Sequence, residues 1–98
     1  MDSKWSEWDA ADYIETEEDA AEFLNAVLEL NDPGLLPEAL GAIARSRGMT
    51  EVAKSTNLGR ESLYKALRPG AQPRFETIAK VLSSLGLALR VVPAKQLQ

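Results

Sequence analysis

The chain has 98 residues, of which 27% are charged, and it contains neither cysteine nor histidine. Disulfides, zinc sites of the usual Cys/His kind and histidine acid–base catalysis are therefore excluded, so we expect no metal, no cofactor and no enzymatic activity. No apolar run approaches the roughly 18 residues that a membrane span needs, and the N-terminus has no signal-peptide pattern. We expect a cytoplasmic protein without a membrane partner.

Charge is distributed unevenly along the chain. Residues 1–44 hold twelve carboxylates and one lysine, a net charge of −11, whereas residues 45–80 hold eight cations and three carboxylates, a net charge of +5. The whole chain carries −4. Such an asymmetry indicates two different partners, one cationic and one anionic.

Residues 1–15 are predicted to form an acidic N-terminal arm. An acidic segment with exposed aromatic residues suits a cationic partner, because charge speeds the encounter and aromatic rings supply anchors. The residues predicted to contact such a partner are Trp5, Trp8, Tyr13 and Phe23. Alternatively, the carboxylates form a solvated helix face and the aromatic rings pack on the domain itself.

A helical domain is predicted over residues 16–86, and its first two helices have clear start signals. Thr16 is the predicted N-cap of the first helix, with three acidic residues after it, and Asp32 is the predicted N-cap of the second, with Pro33 at the first helical position. Gly48 is expected to end the second helix. The apolar stripe of the first helix is Ala20, Phe23, Leu24, Val27 and Leu28, and that of the second is Leu36, Leu40, Ile43 and Ala44.

Three shorter helices complete this domain. The third is predicted from the N-cap Thr50 to residue 55 or 56, the fourth over residues 60–67, and the fifth over residues 73–85, closed by Gly86. The fifth helix is expected to bury Phe75, Ile78, Val81, Leu82 and Leu85.

Residues 87–98 are predicted to form a C-terminal strand and tail. The apolar run over residues 87–92 favours a β-strand that ends at Pro93, and a lone strand needs a partner for its backbone groups. In such a strand Leu87, Leu89 and Val91 would point to one face, and Ala88, Arg90 and Val92 to the other. A second copy is the simplest source, so we expect an antiparallel homodimer contact through Leu87, Leu89, Arg90, Val91 and Val92. Alternatively, the segment extends over its own core or pairs with a sheet of another protein.

The third and fourth helices together have the pattern of a helix-turn-helix. Such a unit needs a small residue where the helices cross, a turn residue that tolerates positive φ, and apolar inner faces. Ala53 is the small residue, and Asn57 follows at the turn. The apolar seal is Val52, Leu58, Leu63 and Leu67.

The outward residues of the fourth helix predict contact with double-stranded DNA. Arginine can bind guanine with two hydrogen bonds, and Tyr64 and Lys65 can reach bases or phosphates. Glu61 either accepts from cytosine or holds Arg60 in position, and Arg74 is a candidate phosphate contact at the start of the fifth helix. Arg45 and Arg47 are instead expected to interact with the negative C-terminal end of the second helix, not with phosphates. The predicted DNA contacts are Arg60, Glu61, Tyr64, Lys65, Arg68 and Arg74.

Residues 12–94 resemble the addiction-module antidote proteins, HigA-type antitoxins with a phage-repressor-like DNA-binding domain. The stretches that carry the resemblance are "ALGAIARSRGMTEVAK", "LGRESLYKAL", "PRFETIAKVLSSLGL" and "LRVVPA". The resemblance implies an all-α, five-helix repressor-like domain, and a C-terminal strand that pairs two copies. It also implies a homodimer on a palindromic operator in its own promoter, and a small basic RelE-like toxin, encoded beside it, that is held inactive.

The leading prediction is thus a DNA-binding antitoxin that represses its own operon and neutralises a toxin. A stand-alone phage-type repressor without a toxin is the main alternative, in which the acidic arm serves solubility. A third possibility is an adaptor that uses the helix pair for protein contact and does not bind DNA.

Overall fold

The computed structural model describes residues 14–97, and within this range the chain is helical. Five α-helices follow one another: α1 (Glu17–Glu29), α2 (Leu35–Arg47), α3 (Met49–Thr56), α4 (Arg60–Ala66) and α5 (Phe75–Ser84). A short 3-10 helix, Ala94–Leu97, follows them. The prediction of five helices is therefore confirmed. None of these helices is long and apolar enough to cross a bilayer.

Helix α1 begins at the predicted N-cap. The Thr16 hydroxyl accepts from the Asp19 N–H at 3.0 Å, and the Asp19 carboxylate accepts from the Thr16 N–H at 3.2 Å. This reciprocal pair is a capping box, in which each side chain satisfies a backbone donor that the helix leaves unpaired. The same carboxylate also accepts from the Glu15 N–H at 3.0 Å, which fixes the entry of the chain into the helix.

The predicted start of the second helix is wrong by two residues. Helix α2 begins at Leu35 with Gly34 as its N-cap, and Asp32 instead accepts from the Gly34 N–H at 3.0 Å in a turn before the helix. Pro33 therefore precedes the helix. Pro37 is the proline within the first turn, where its missing N–H costs no intrahelical bond.

The third helix also begins earlier than predicted. Gly48, with φ of 107°, both ends α2 and serves as the N-cap of α3, so the helix starts at Met49 instead of after Thr50. A positive φ of this size is readily adopted only by glycine, which joins the two helices without a linker. Helix α5 begins at Phe75 and is shorter at both ends than predicted.

The core lies where α2 and α3 meet the other helices. Helix α1 packs on α2, α3 packs on α2 and α5, and α4 packs on α3. The largest fully buried side chains are Leu40, Ile43, Leu63, Val81 and Leu85. Because α4 contributes Leu63 to this core, its orientation is set by burial and its opposite face is left outward.

Two predicted features of the apolar pattern are wrong. Phe75 was expected in the core of α5, but it is 72% exposed at the first position of the helix. No strand is present within residues 14–97, and residues 87–93 belong to no regular element. A strand forms only when a neighbouring strand pairs its backbone groups, and this part of the chain offers none.

Candidate nucleic-acid interface

The turn between α3 and α4 has the conformation that the sequence predicted. Asn57 has φ of 60° and ψ of 28°, in the left-handed region that asparagine tolerates better than most residues. The Leu58 N–H donates to the Ala53 carbonyl at 3.2 Å, and the Asn57 N–H donates to that of Lys54 at 3.2 Å. These bonds satisfy the last carbonyls of α3 in the manner of a Schellman motif, and they fix where α4 starts.

Thr56 holds the same turn from inside. Its side chain is buried, its hydroxyl donates to the Val52 carbonyl at 2.8 Å, and it accepts from the Leu58 N–H at 3.4 Å. Because the buried hydroxyl both donates and accepts a hydrogen bond, these bonds offset the cost of removing it from water. The turn is thus held by both its backbone and a side chain.

The helix pair has a sealed inner side and a cationic outer side. Ala53, Leu63 and Leu67 are buried and Leu58 is half-buried. We call the exposed residues of the opposite side the α4 basic face; they are Arg60, Glu61, Tyr64, Lys65 and Arg68. Three cations against one carboxylate make this face positive within an acidic protein, and such a local reversal is what a polyanion requires.

Arg60 and Tyr64 are in direct contact on the α4 basic face. The guanidinium Nη2 donates to the Tyr64 hydroxyl at 3.2 Å, and the Arg60 Cζ lies 5.6 Å from the centroid of the ring. Both contacts follow from the spacing of four residues, which places side chains on adjacent helical turns. The ring therefore orients the guanidinium near the start of α4.

Glu61 does not hold Arg60 in position, which was one of its two predicted roles. Within residues 14–97 it makes no ion pair with Arg60, whose partner is Tyr64. Arg60 is thus positioned without the carboxylate, and the remaining reading of Glu61, as an acceptor toward a base, stays a prediction.

Arg74 lies at the N-cap of α5, as the sequence indicated. It has extended backbone angles, φ of −67° and ψ of 152°, and its side chain is exposed and does not cap the helix. The first N–H groups of α5 have no intrahelical acceptor, because helical bonds begin one turn later. An arginine beside such donors provides a suitable contact for a phosphate group.

The remaining predicted site residues are those for contact with a toxin and with a second copy. Trp5, Trp8 and Tyr13 lie outside the described residues, while Phe23 is half-buried on α1 and packs against the core. Leu87 packs against the core as well, and its N–H donates to the Leu82 carbonyl at 2.8 Å.

The remaining residues of the C-terminal segment do not follow the predicted alternation. Leu89 is 49% exposed and Val91 is 96% exposed, Arg90 is exposed and Val92 is half-buried. Leu87, Leu89 and Val91 therefore do not share one environment, contrary to the predicted alternation of faces. A segment without a paired neighbour has no pleat to impose that alternation.

Sequence reasoning missed two features of this region. The spacing of four residues allows Arg60 and Tyr64 to meet, but it does not decide between Tyr64 and Glu61 as the partner of Arg60. The close approach of α2 to the end of α4 was not readable: a Cβ added at Gly41 would lie 2.8 Å from the Leu67 carbonyl oxygen. The absence of a side chain at Gly41 thus allows the backbone of Leu67, directly after α4, to approach α2.

Together, these features define a five-helix domain whose α3–α4 pair resembles a helix-turn-helix with a basic outer face. The sequence model of a family described as "probable addiction module antidote protein" matches residues 4–93, which is most of the chain. The protein belongs to this family, and membership in an antidote family implies a cognate toxin as partner.

A curated relative and the solved structures were also compared. An uncharacterized protein of Haemophilus influenzae is 36% identical over 91 residues, which cover 93% of this chain and 94% of the relative. No solved structure matches. The aligned region thus covers nearly the full length of both proteins.

Proposed function

We propose that this protein is an antitoxin that neutralises a small basic toxin of the RelE-like group and represses its own operon by binding operator DNA. Membership in the antidote family supports the first activity. The α4 basic face, on which Tyr64 orients Arg60, is the observation that carries the second. We also propose that the protein is an antitoxin of the HigA type and that its DNA-binding domain is related to those of phage repressors.

In the DNA complex, α4 lies in the major groove with its N-terminal turn nearest the bases. Arg60 is positioned to donate two hydrogen bonds to guanine, and Lys65 and Arg68 contact phosphates. Arg74 and the first N–H groups of α5 hold a further phosphate. Tyr64 both orients Arg60 and presents its hydroxyl to the groove, while Glu61 accepts from cytosine.

Binding of a palindromic operator requires two copies of the domain. We place the contact between them at residues 87–92, where Leu89 and Val91 are exposed to solvent in the single chain. Two exposed aliphatic side chains two residues apart on one segment are a suitable contact for a second copy. To reach both half-sites of an operator, the two-fold axis there must separate the recognition helices by about one turn of DNA, roughly 34 Å.

The toxin is recognised by the acidic N-terminal part of the chain. Eight carboxylates and no cations lie in residues 14–44, so this half of the domain attracts a basic protein. Trp5, Trp8, Tyr13 and Phe23 remain the proposed aromatic contacts. The proposed setting is the cytoplasm, where both DNA and the toxin's targets are found.

Two experiments test the two activities separately. Co-expression with the adjacent gene product should relieve the growth arrest that this product causes alone, and continued arrest would contradict the antitoxin assignment. A mobility shift with the gene's own upstream DNA should be lost in high salt and absent with a scrambled duplex. Equal binding to both duplexes would refute operator recognition.

A further inference from the structure

The outward side of α1 is an unpartnered helix face that combines apolar and acidic residues. Leu28, on the last turn, is 48% exposed, and Leu30, directly after the helix, is 64% exposed. Large aliphatic side chains left in water at one helix end are a cost that a partner would remove. The charge of the residues beside these two leucines indicates the chemistry of such a partner.

A stripe of polar residues runs along the same helix beside these leucines. Glu18, Glu22, Asn25 and Glu29 are spaced by four, three and four residues, so they share one face, and all four are exposed. The side-chain carboxylates of Glu22 and Glu29 make no hydrogen bond or ion pair to another residue within 14–97. We call this stripe, together with Leu28 and Leu30, the α1 outer face.

The α1 outer face has the composition of a protein-binding surface. Leu28 and Leu30 are two positions apart, so they lie at the two edges of the polar row, on either side of Glu29. The leucines supply apolar anchors at these edges, and the row of like charges between them selects the partner's sign. No cation lies between residues 14 and 44, so helix α1 itself carries no positive charge to offset its carboxylates. Its complement is a positively charged groove with apolar contacts on both of its walls at one end.

The face is separate from the α4 basic face. Helix α1 packs on α2, whereas α4 packs on α3. A nucleic acid, being a polyanion, is repelled by α1, so the two surfaces take partners of opposite charge.

We infer that the α1 outer face is the docking surface for a basic protein, namely the cognate toxin, with Glu22 and Glu29 in the central charged row and Leu28 and Leu30 as anchors at its two edges. This inference rests on the proposed antitoxin function and adds to it a surface within the described residues. It is independent of the aromatic residues of the N-terminal arm.

The test measures binding of the full chain to the purified product of the adjacent gene by isothermal titration calorimetry. The variant Glu22→Lys/Glu29→Lys reverses two charges on the face, and Glu51→Lys/Glu76→Lys, on α3 and α5, changes the net charge equally elsewhere. A third variant, Leu28→Ala/Leu30→Ala, removes the anchors without changing charge. All the substituted side chains are exposed, so circular dichroism should show unchanged helicity.

We expect the first variant to weaken binding at least about tenfold, the leucine variant to weaken it comparably, and the control variant to change it by less than about threefold. Equal binding by Glu22→Lys/Glu29→Lys and wild type would overturn the assignment, as would equal weakening by the control. If the wild-type chain itself does not bind, the antitoxin proposal fails as well. The wild-type titration thus distinguishes the two failures.

Discussion

Gly41→Ala should destabilise the domain although alanine is the better helix former. The added Cβ would lie 2.8 Å from the Leu67 carbonyl oxygen, whereas ordinary carbon–oxygen contacts are about 3.3–3.6 Å. Because that oxygen belongs to the backbone at the end of α4, it cannot rotate away as a side chain would. The two segments must therefore move apart by several tenths of an ångström.

The size of the effect follows from two opposing terms. Overpacking costs about 1–3 kcal/mol, and replacing a helical glycine by alanine returns up to about 1 kcal/mol. With overpacking at its mid-range of about 2 kcal/mol, the net loss of unfolding free energy is about 1–2 kcal/mol. At about 4–8 °C per kcal/mol for a domain of this size, Tm falls by about 4–16 °C. Since native domains have only about 5–15 kcal/mol to lose, the shift is easily measured.

Thermal unfolding followed by circular dichroism is the assay, and Gly59→Ala is the matched control. A Cβ at Gly59 meets no atom within 4 Å, and its φ of −68° suits alanine, so its Tm should change by less than about 3 °C. An unchanged or raised Tm for Gly41→Ala would refute the close approach of α2 to the end of α4.

Three further variants test the turn, the first helix and the basic face. Asn57→Ala should lose about 1 kcal/mol of unfolding free energy while Asn57→Gly loses none, because the residue has φ of 60°; urea denaturation that gives both variants equal stability would contradict the turn geometry. Thr16→Ala should cost about 1 kcal/mol by removing one half of the capping box, measured in the same way, with Thr50→Ala, an exposed threonine that caps no helix, as the comparison. Tyr64→Phe keeps the ring but removes the acceptor of Arg60, so operator affinity in an anisotropy titration should fall by about threefold to tenfold; an unchanged affinity would show that the hydroxyl does not position Arg60.

The parts of the fold that the sequence predicted are those determined by local chemistry. Thr16 and Asn57 act through atoms a few residues away, so their roles as cap and left-handed turn residue were readable from sequence alone. The burial of Leu63 and Leu67 followed from helical spacing in the same way.

The predictions that failed depend on the rest of the molecule. Phe75 has the spacing of a core residue, but it lies at the first position of α5, ahead of the region where that helix contacts the core. Residues 87–92 have strand propensity, yet propensity cannot supply a neighbouring strand. Asp32 and Pro33 carry a helix-start signal that a turn uses equally well, because aspartate caps both.

In the candidate site, too, some features could be predicted from local sequence and others depended on the rest of the molecule. The identity of the outward α4 residues followed from the pattern, whereas the pairing of Arg60 with Tyr64 in preference to Glu61 required coordinates. The exposure of Leu28 likewise could not be foreseen, because its spacing in α1 matches that of the buried residues.

The central claim, that the α4 basic face reads operator DNA, is tested most directly by anisotropy titrations of wild type, Arg60→Ala and Lys65→Ala against the upstream duplex and a scrambled duplex. Arg60→Ala should lose about 1–3 kcal/mol on the upstream duplex and most of its preference for it. Lys65→Ala should weaken both duplexes alike and reduce the salt slope by about one. Upstream binding by Arg60→Ala that equals wild type in affinity and preference would contradict the account.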